Sequence, residues 1–227
     1  MKKLIFLSFM AFSGCTSIEV LEIQSFNSSY VNTGFQYSND SVMVRYDFWN
    51  DGGMMYLTIY NNLDVPLFID WKTSSFIYQD NGYMYWDDRI HSTSSNSSTS
   101  VYGRMLLTGI PAKITNGQTI ITTQQEERIT SIAPHASIIK AEFRLTAPGN
   151  KIDEGEFTET SSPMKFRNYL VFSTKEDFSS IFSVDNSFYV SKSKIVKKGD
   201  YEQYKKPSYF YVSHIIKEQK GTDGSGF

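Results

Sequence analysis

Val42, Val44, Tyr46 and Phe48 alternate with Met43, Arg45, Asp47 and Trp49. A period of two belongs to an extended strand whose side chains point in turn to opposite faces. Asn50-Asp51-Gly52-Gly53 follows, and then Met54-Met55-Tyr56-Leu57-Thr58-Ile59-Tyr60. Asp-Gly and Gly-Gly supply positive φ at little steric cost, so the two runs read as a β-hairpin. This pattern constrains the fold more than any other feature, because it recurs. Leu67–Trp71 resumes after a turn containing Pro66, a residue without an amide donor that belongs at a strand start. Phe76–Tyr78, Tyr83–Trp86, Thr119–Thr123, Ile129–Ile132, Ile138–Leu145, Asn168–Ser173, Phe188–Val196 and Tyr209–Ile216 are further short β-branched and aromatic runs. Asp80-Asn81-Gly82, Asn116-Gly117, Pro148-Gly149-Asn150 and Lys198-Gly199-Asp200 punctuate them. Many short strands at this spacing predict an all-β antiparallel β-sandwich with little helix.

Helix is expected at one place only. Thr174-Lys175-Glu176-Asp177 can cap and open a short helix running through Ile181. No long segment carries the i, i+3, i+4, i+7 apolar pattern of a packed helix. Residues 41–217 are taken as one elaborated sandwich, with 146–164 as the best candidate for a break. Residues 15–40 read as a tether and first strand, around Ile18–Ile23 or Phe35–Tyr37. His91–Ser100 is a low-complexity polar run and reads as a loop, and residues 218–227 read as a disordered tail.

Composition excludes several functions. The 227 residues carry a formal charge of −2, so the chain is no electrostatic binder of nucleic acid. One cysteine permits neither an internal disulfide nor a cysteine-ligated zinc site, and three scattered histidines leave little for a metal cluster. No cofactor or metal is expected.

The single cysteine has a telling position. Met1-Lys2-Lys3 is basic, Leu4–Phe12 is apolar, and Ser13-Gly14-Cys15 ends the run with small residues. This is the anatomy of a secretory signal, and the run is shorter than the roughly 20 residues a membrane-spanning helix needs. It resembles the lipobox of bacterial lipoproteins, with Phe12 where that family usually has an aliphatic residue. The resemblance implies a signal peptide over residues 1–14, cleavage before Cys15, diacylglycerol on its thiol and an acyl chain on the new amine. Cleavage leaves 213 residues with 20 basic against 24 acidic side chains, a charge of −4. The acyl chains would hold the protein on a membrane, since each buried methylene contributes about 0.8 kcal/mol and stable anchoring takes more than one chain. Thr16 rather than Asp after the cysteine points, by the enteric sorting pattern, to the outer membrane, with the periplasmic or surface side left open.

Tyr60-Asn61-Asn62-Leu63-Asp64-Val65-Pro66-Leu67-Phe68-Ile69-Asp70-Trp71 and Ile132-Ala133-Pro134-His135-Ala136-Ser137 together resemble the strand–turn–strand pattern of bacterial extracytoplasmic immunoglobulin-like domains. Asn and Asp bond their own backbone in such turns and Pro presets φ. The resemblance implies an immunoglobulin-like sandwich and brings no catalytic residue with it.

No G-x-S-x-G, H-E-x-x-H, phosphate loop or dinucleotide fingerprint is present, so the chain reads as a non-enzyme. Asp87-Asp88-Arg89-Ile90-His91 holds two carboxylates and an imidazole, but neighbouring strand residues diverge. Glu154 and Glu156 would share a face if extended, as a carboxylate pair or calcium ligands might. His135 and His214 show no partner in the sequence. The aromatics stand out more: Trp49, Trp71 and Trp86 fall in one stretch with several tyrosines. Trp71 reads as core. Tyr83, Tyr85 and Trp86 are candidate ligand contacts, because exposed Tyr and Trp offer rigid amphipathic area to a sugar or a protein. The leading expectation is a lipid-anchored, non-enzymatic envelope sandwich with a binding or assembly role and an envelope protein or glycan partner. The alternative is a carbohydrate-binding accessory lipoprotein that uses the aromatic cluster.

Overall fold

The computed structural model describes residues 17–86, 127–146 and 150–214, and the backbone alone over 91–95, 104–105 and 120–124. The first half of the chain forms β1 (Ser17–Ser25), β2 (Ser29–Val31), β3 (Gly34–Ser38), β4 (Val42–Asp47), β5 (Met54–Asn61), β6 (Leu67–Asp70), β7 (Ser75–Tyr78) and β8 (Asn81–Met84). Next come β9 (His91–Ser95), β10 (Arg104–Met105), β11 (Ile120–Gln124), β12 (Ile129–Ile132) and β13 (Ser137–Arg144). The last are β14 (Gly155–Glu156), β15 (Lys165–Ser173), β16 (Ile181–Lys197) and β17 (Tyr209–His214), with a one-turn 3-10 helix at Tyr201–Tyr204 before β17.

Two large sheets face each other in an all-β sandwich. One runs β12-β6-β15-β16-β1-β17, with β7, β8 and β14 attached beside it. The other runs β10-β13-β5-β4-β3-β2. Their ladders are antiparallel except for a short parallel contact between β10 and β13. The expected hairpin is β4–β5, in register from Val42↔Asn61 to Asp47↔Tyr56. Gly52 and Gly53 take φ of 75° and 67° in the following turn, and a Cβ on Gly53 would come within 2.9 Å of the Phe210 ring.

The core lies between the sheets and is rich in aromatic side chains set among Leu, Ile, Val and Met. Val42, Val44 and Tyr46 on β4 are fully buried, as the alternation requires. Phe188 on β16 meets Phe35 at 5.6 Å and Tyr46 at 4.9 Å edge-on, the geometry that opposes ring edge to ring face. Phe76 stacks on Phe143 at 4.9 Å further along. Trp71 joins this core, as its sequence setting predicts.

Several expectations change. From Ser17 onward the expected tether is strand: β1 begins at Ser17 and is an interior strand, paired with β16 on one side and β17 on the other, while residues 15 and 16 lie outside the described residues. Ile18, Val20 and Leu21 are all buried, so β1 lacks the clean two-faced pattern that marks β4. Both proposed first strands exist, as β1 and β3. The helix expected over Thr174–Ile181 is absent. Ser173 Oγ accepts the Lys175 amide, Phe178 takes φ of 55°, and Asp177 accepts the Ser179 amide, so the segment is a turn feeding straight into β16. The start of the polar run is also no loop, since the backbone of β9 pairs with β11. A ladder needs backbone donors and acceptors rather than apolar side chains. Residues 152–164 do not divide two units: the Ile152 amide donates to Glu19 of β1 at 2.9 Å, and β14 pairs with β16. Residues 218–227 lie outside the described residues.

Candidate functional site

The two tracts that carry the immunoglobulin-like resemblance meet at one side chain. Asn61, fully buried at the end of β5, donates through Nδ2 to the carbonyls of Val65 (2.8 Å), Ile132 (3.0 Å) and Ala133 (3.1 Å). Its Oδ1 accepts the Leu63 amide at 2.9 Å. Asn61 therefore closes the turn into β6 and ties it to the end of β12. The turn after β12 brings His135, at φ 54°, to Asp64 at 2.8 Å. Both side chains are exposed, so that pair adds little stability.

β12 is the edge strand of its sheet with β6 inside it, and a bidentate ion pair lies there. Asp70, buried at the end of β6, receives the Arg128 guanidinium through Nε at 3.0 Å and Nη2 at 2.7 Å, and also the Lys72 amide at 3.0 Å. Burial pushes the Asp70 carboxyl up, but the Arg128 bonds together with the Lys72 amide outweigh it and hold the carboxyl below its usual range. The Trp71 indole N–H donates to Thr130 at 2.8 Å. Lys140 of β13 lies 5.3 Å over the Trp71 ring and 3.1 Å from Glu142, while Lys72 lies 5.4 Å from the Trp86 ring centre. Cations over indole faces are attractive contacts.

Of the candidate ligand contacts, Tyr85 is withdrawn. Its side chain is 1% exposed, and its hydroxyl donates to Asn168 at 2.5 Å. Asn168 in turn donates to the Tyr46 hydroxyl at 3.0 Å, which donates to Asn186 at 2.8 Å. The chain Tyr85–Asn168–Tyr46–Asn186 crosses from sheet to sheet inside the core. Burial drives both phenols well above their ordinary pKa, so both stay protonated and neutral. Tyr83 and Tyr85 share the core side of the β8 strand line, and Met84 faces out at 55% exposure. Tyr83 and Trp86 are half-buried and pack against the core.

The other candidates separate. Cys15, together with residues 1–14 before it, lies outside the described residues, as do Asp87, Asp88 and Arg89; of His91 only the backbone in β9 is described. Glu154 accepts the Ile195 amide at 2.7 Å, whereas Glu156 pairs with Lys192 at 2.5 Å, so the two carboxylates serve different partners. Trp49 packs against Tyr201 and Tyr211. Sequence reasoning missed the partner of His214, which is Glu19. The fully buried Glu19 carboxylate takes His214 Nε2 at 2.8 Å, the Ser193 hydroxyl at 3.1 Å and the Ile152 amide. Its partners lie 133 to 195 residues away, so no local pattern could have shown it. Both Ser193 and His214 bond Glu19 itself, which is a fastening and not a nucleophile–base relay. A shallow recess of about 160 Å³ lies between Glu22, Lys192, Lys194, Tyr204 and Tyr209. Its lysines already pair with Glu156 and with the Tyr204 hydroxyl at 3.1 Å. Among the described residues, no three His, Cys, Asp or Glu side chains are grouped to hold a metal.

No protein-family model matches the chain, and neither the curated proteins nor the solved structures contain a match to it.

Proposed function

We propose that this protein is a lipid-anchored, non-enzymatic β-sandwich of the bacterial cell envelope, immunoglobulin-like in kind, with a binding or assembly role. One observation carries the reading. The chain's single cysteine directly follows Ser13-Gly14 at the end of a basic and then apolar leader, and a continuous sheet begins two residues later at Ser17. A cleavage-and-acylation signal placed directly ahead of a folded unit fits a protein whose first mature residue is its attachment point. The described polar groups supply a rigid frame for such a role: Tyr85, Asn168, Tyr46 and Asn186 bond in a chain across the sheets, and Glu19 and Asp70 fasten strands.

Cys15→Ser tests the attachment. The wild-type chain should take up labelled palmitate and sediment with membranes, and the variant should do neither. Equal labelling of both would refute the reading. The β6–β12 edge, where Arg128 bonds Asp70 and Lys72 lies 5.4 Å from the ring of half-buried Trp86, is the preferred surface for an envelope protein or glycan partner. Pull-down on envelope polysaccharides tests the glycan: retention that is lost in Trp86→Ala supports it, and no retention, or equal retention by the variant, contradicts it.

A further inference from the structure

The first strand begins so close to Cys15 that the sandwich has no slack on its anchor. Only Thr16 separates Cys15 from Ser17, and two residues of chain reach at most about 7 Å. A folded unit of about 200 residues has a radius of gyration of roughly 16 Å, so such a link cannot let it swing free of the surface that holds the lipid. The start of β1 is not a loose end either. Ser17 is paired on one side with Lys197 of β16 and on the other with His214 of β17. Two residues further on, buried Glu19 locks β1 to His214, Ser193 and Ile152.

Resting on the lipid anchor proposed above, we infer that the end of the sandwich formed by Ser17, Lys197, Lys198 and the turn through Asp200 is a membrane-seating surface whose partner is the lipid headgroup layer. Lys197, Lys198 and Asp200 are exposed there, with exposed Lys194, Asp153 and Glu154 nearby along β16 and its neighbour. The three lysines and three carboxylates of this end leave no net charge to repel a headgroup layer, and the long lysine stems can lie along it with their ammonium groups among the phosphates. β16 then acts as the ruler of the molecule. It runs from Lys197 at the anchored end to Ile181 at the other, and 17 residues of strand span up to ~55 Å at about 3.3 Å per residue. Ile181, 65% exposed, and the Ser173–Ile181 turn occupy the remote end. β6 pairs with β15 at Phe172 and Ser173, next to that turn. The Asp70–Arg128 edge is therefore carried on the half of the sheet that stands away from the lipid.

The only cysteine is consumed by the anchor, so an added cysteine is the sole free thiol of the lipidated chain. Full-length protein carrying Lys198→Cys or Ser180→Cys is labelled with a fluorophore. It is reconstituted in phosphatidylethanolamine–phosphatidylglycerol vesicles that contain a lipid carrying a nitroxide quencher on its headgroup. The expected result is a loss of fluorescence at position 198 and none at 180. A flexible Gly-Ser spacer of a dozen residues inserted after Thr16 should abolish the difference. Equal quenching at both positions without the spacer, in protein that floats with the vesicles, overturns the seating surface and leaves the anchor intact. Protein that neither floats with vesicles nor carries lipid on Cys15 overturns both.

Discussion

Asn61 holds three carbonyls and one amide from both sides of the same corner. Its amide is fully buried, so truncation leaves those backbone groups without a partner and without water. Unmade bonds to buried groups cost about 1–3 kcal/mol each, and relaxation recovers part of the loss. Asn61→Ala is therefore expected to lower the unfolding free energy by about 2–4 kcal/mol, read from the urea midpoint at unchanged slope. Asp70 makes a different prediction. Its native carboxyl is held below its unfolded value, so its stabilisation is fully present above pH of about 4 and is lost as pH falls through the lowered native pKa. Wild type should exceed Asp70→Asn in urea midpoint at neutral pH, and the gap should close on acidification; a gap independent of pH would show that the charge is not what Asp70 contributes. Tyr85 marks where residue-level reading stopped. A Tyr beside exposed Met84 and polar residues looks like surface in the sequence, and only its bond to Asn168, 83 residues away, shows it to be core.

At the scale of elements, legibility followed burial on one face. β4 and β5 were readable because one side of each packs on the core and the other meets solvent, which writes a period of two into the chain. β1 was blurred because neighbours cover both faces from Ile18 to Leu21, and a bulge between Glu22 and Ile23 shifts its register on β16. The turn after β7 was legible only to within a residue: Gln79 and Asp80 take the positive φ, while Asn81 and Gly82 already belong to β8. The expected helix over Thr174–Ile181 rested on capping residues alone, and the same residues cap a turn equally well. Gly34 opens β3 at φ 129°, and a Cβ there would fall 2.1 Å from the Tyr46 carbonyl oxygen of β4. No side-chain shift relieves a clash with backbone. Gly34→Ala should destabilise by more than about 1 kcal/mol, whereas Gly82→Ala, with nothing within 4 Å of its added carbon, should leave the thermal midpoint nearly unchanged. Equal effects would contradict the close approach of β3 to β4.

For the molecule as a whole, the sandwich class was written in the chain, and the edge where β6 and β12 gather Asp70, Arg128, Trp71 and Lys140 was not. Those groups converge only once strands 58 residues or more apart are paired. The proposed lipid site is the reverse case. Its whole argument lies in the dozen residues around Cys15, because a leader is read by processing enzymes as local sequence and needs no fold. The proposal joins the two: a sandwich with an aromatic-rich core, fastened at its first strand by Glu19 and attached through Cys15, two positions ahead of the sheet. The intact mass of the protein extracted from membranes by detergent tests this most directly. The account predicts a chain that starts at Cys15 and carries the added mass of a diacylglyceryl group and a third acyl chain, with no free thiol. A chain that starts elsewhere, or one that starts at Cys15 with an unmodified thiol, would contradict it.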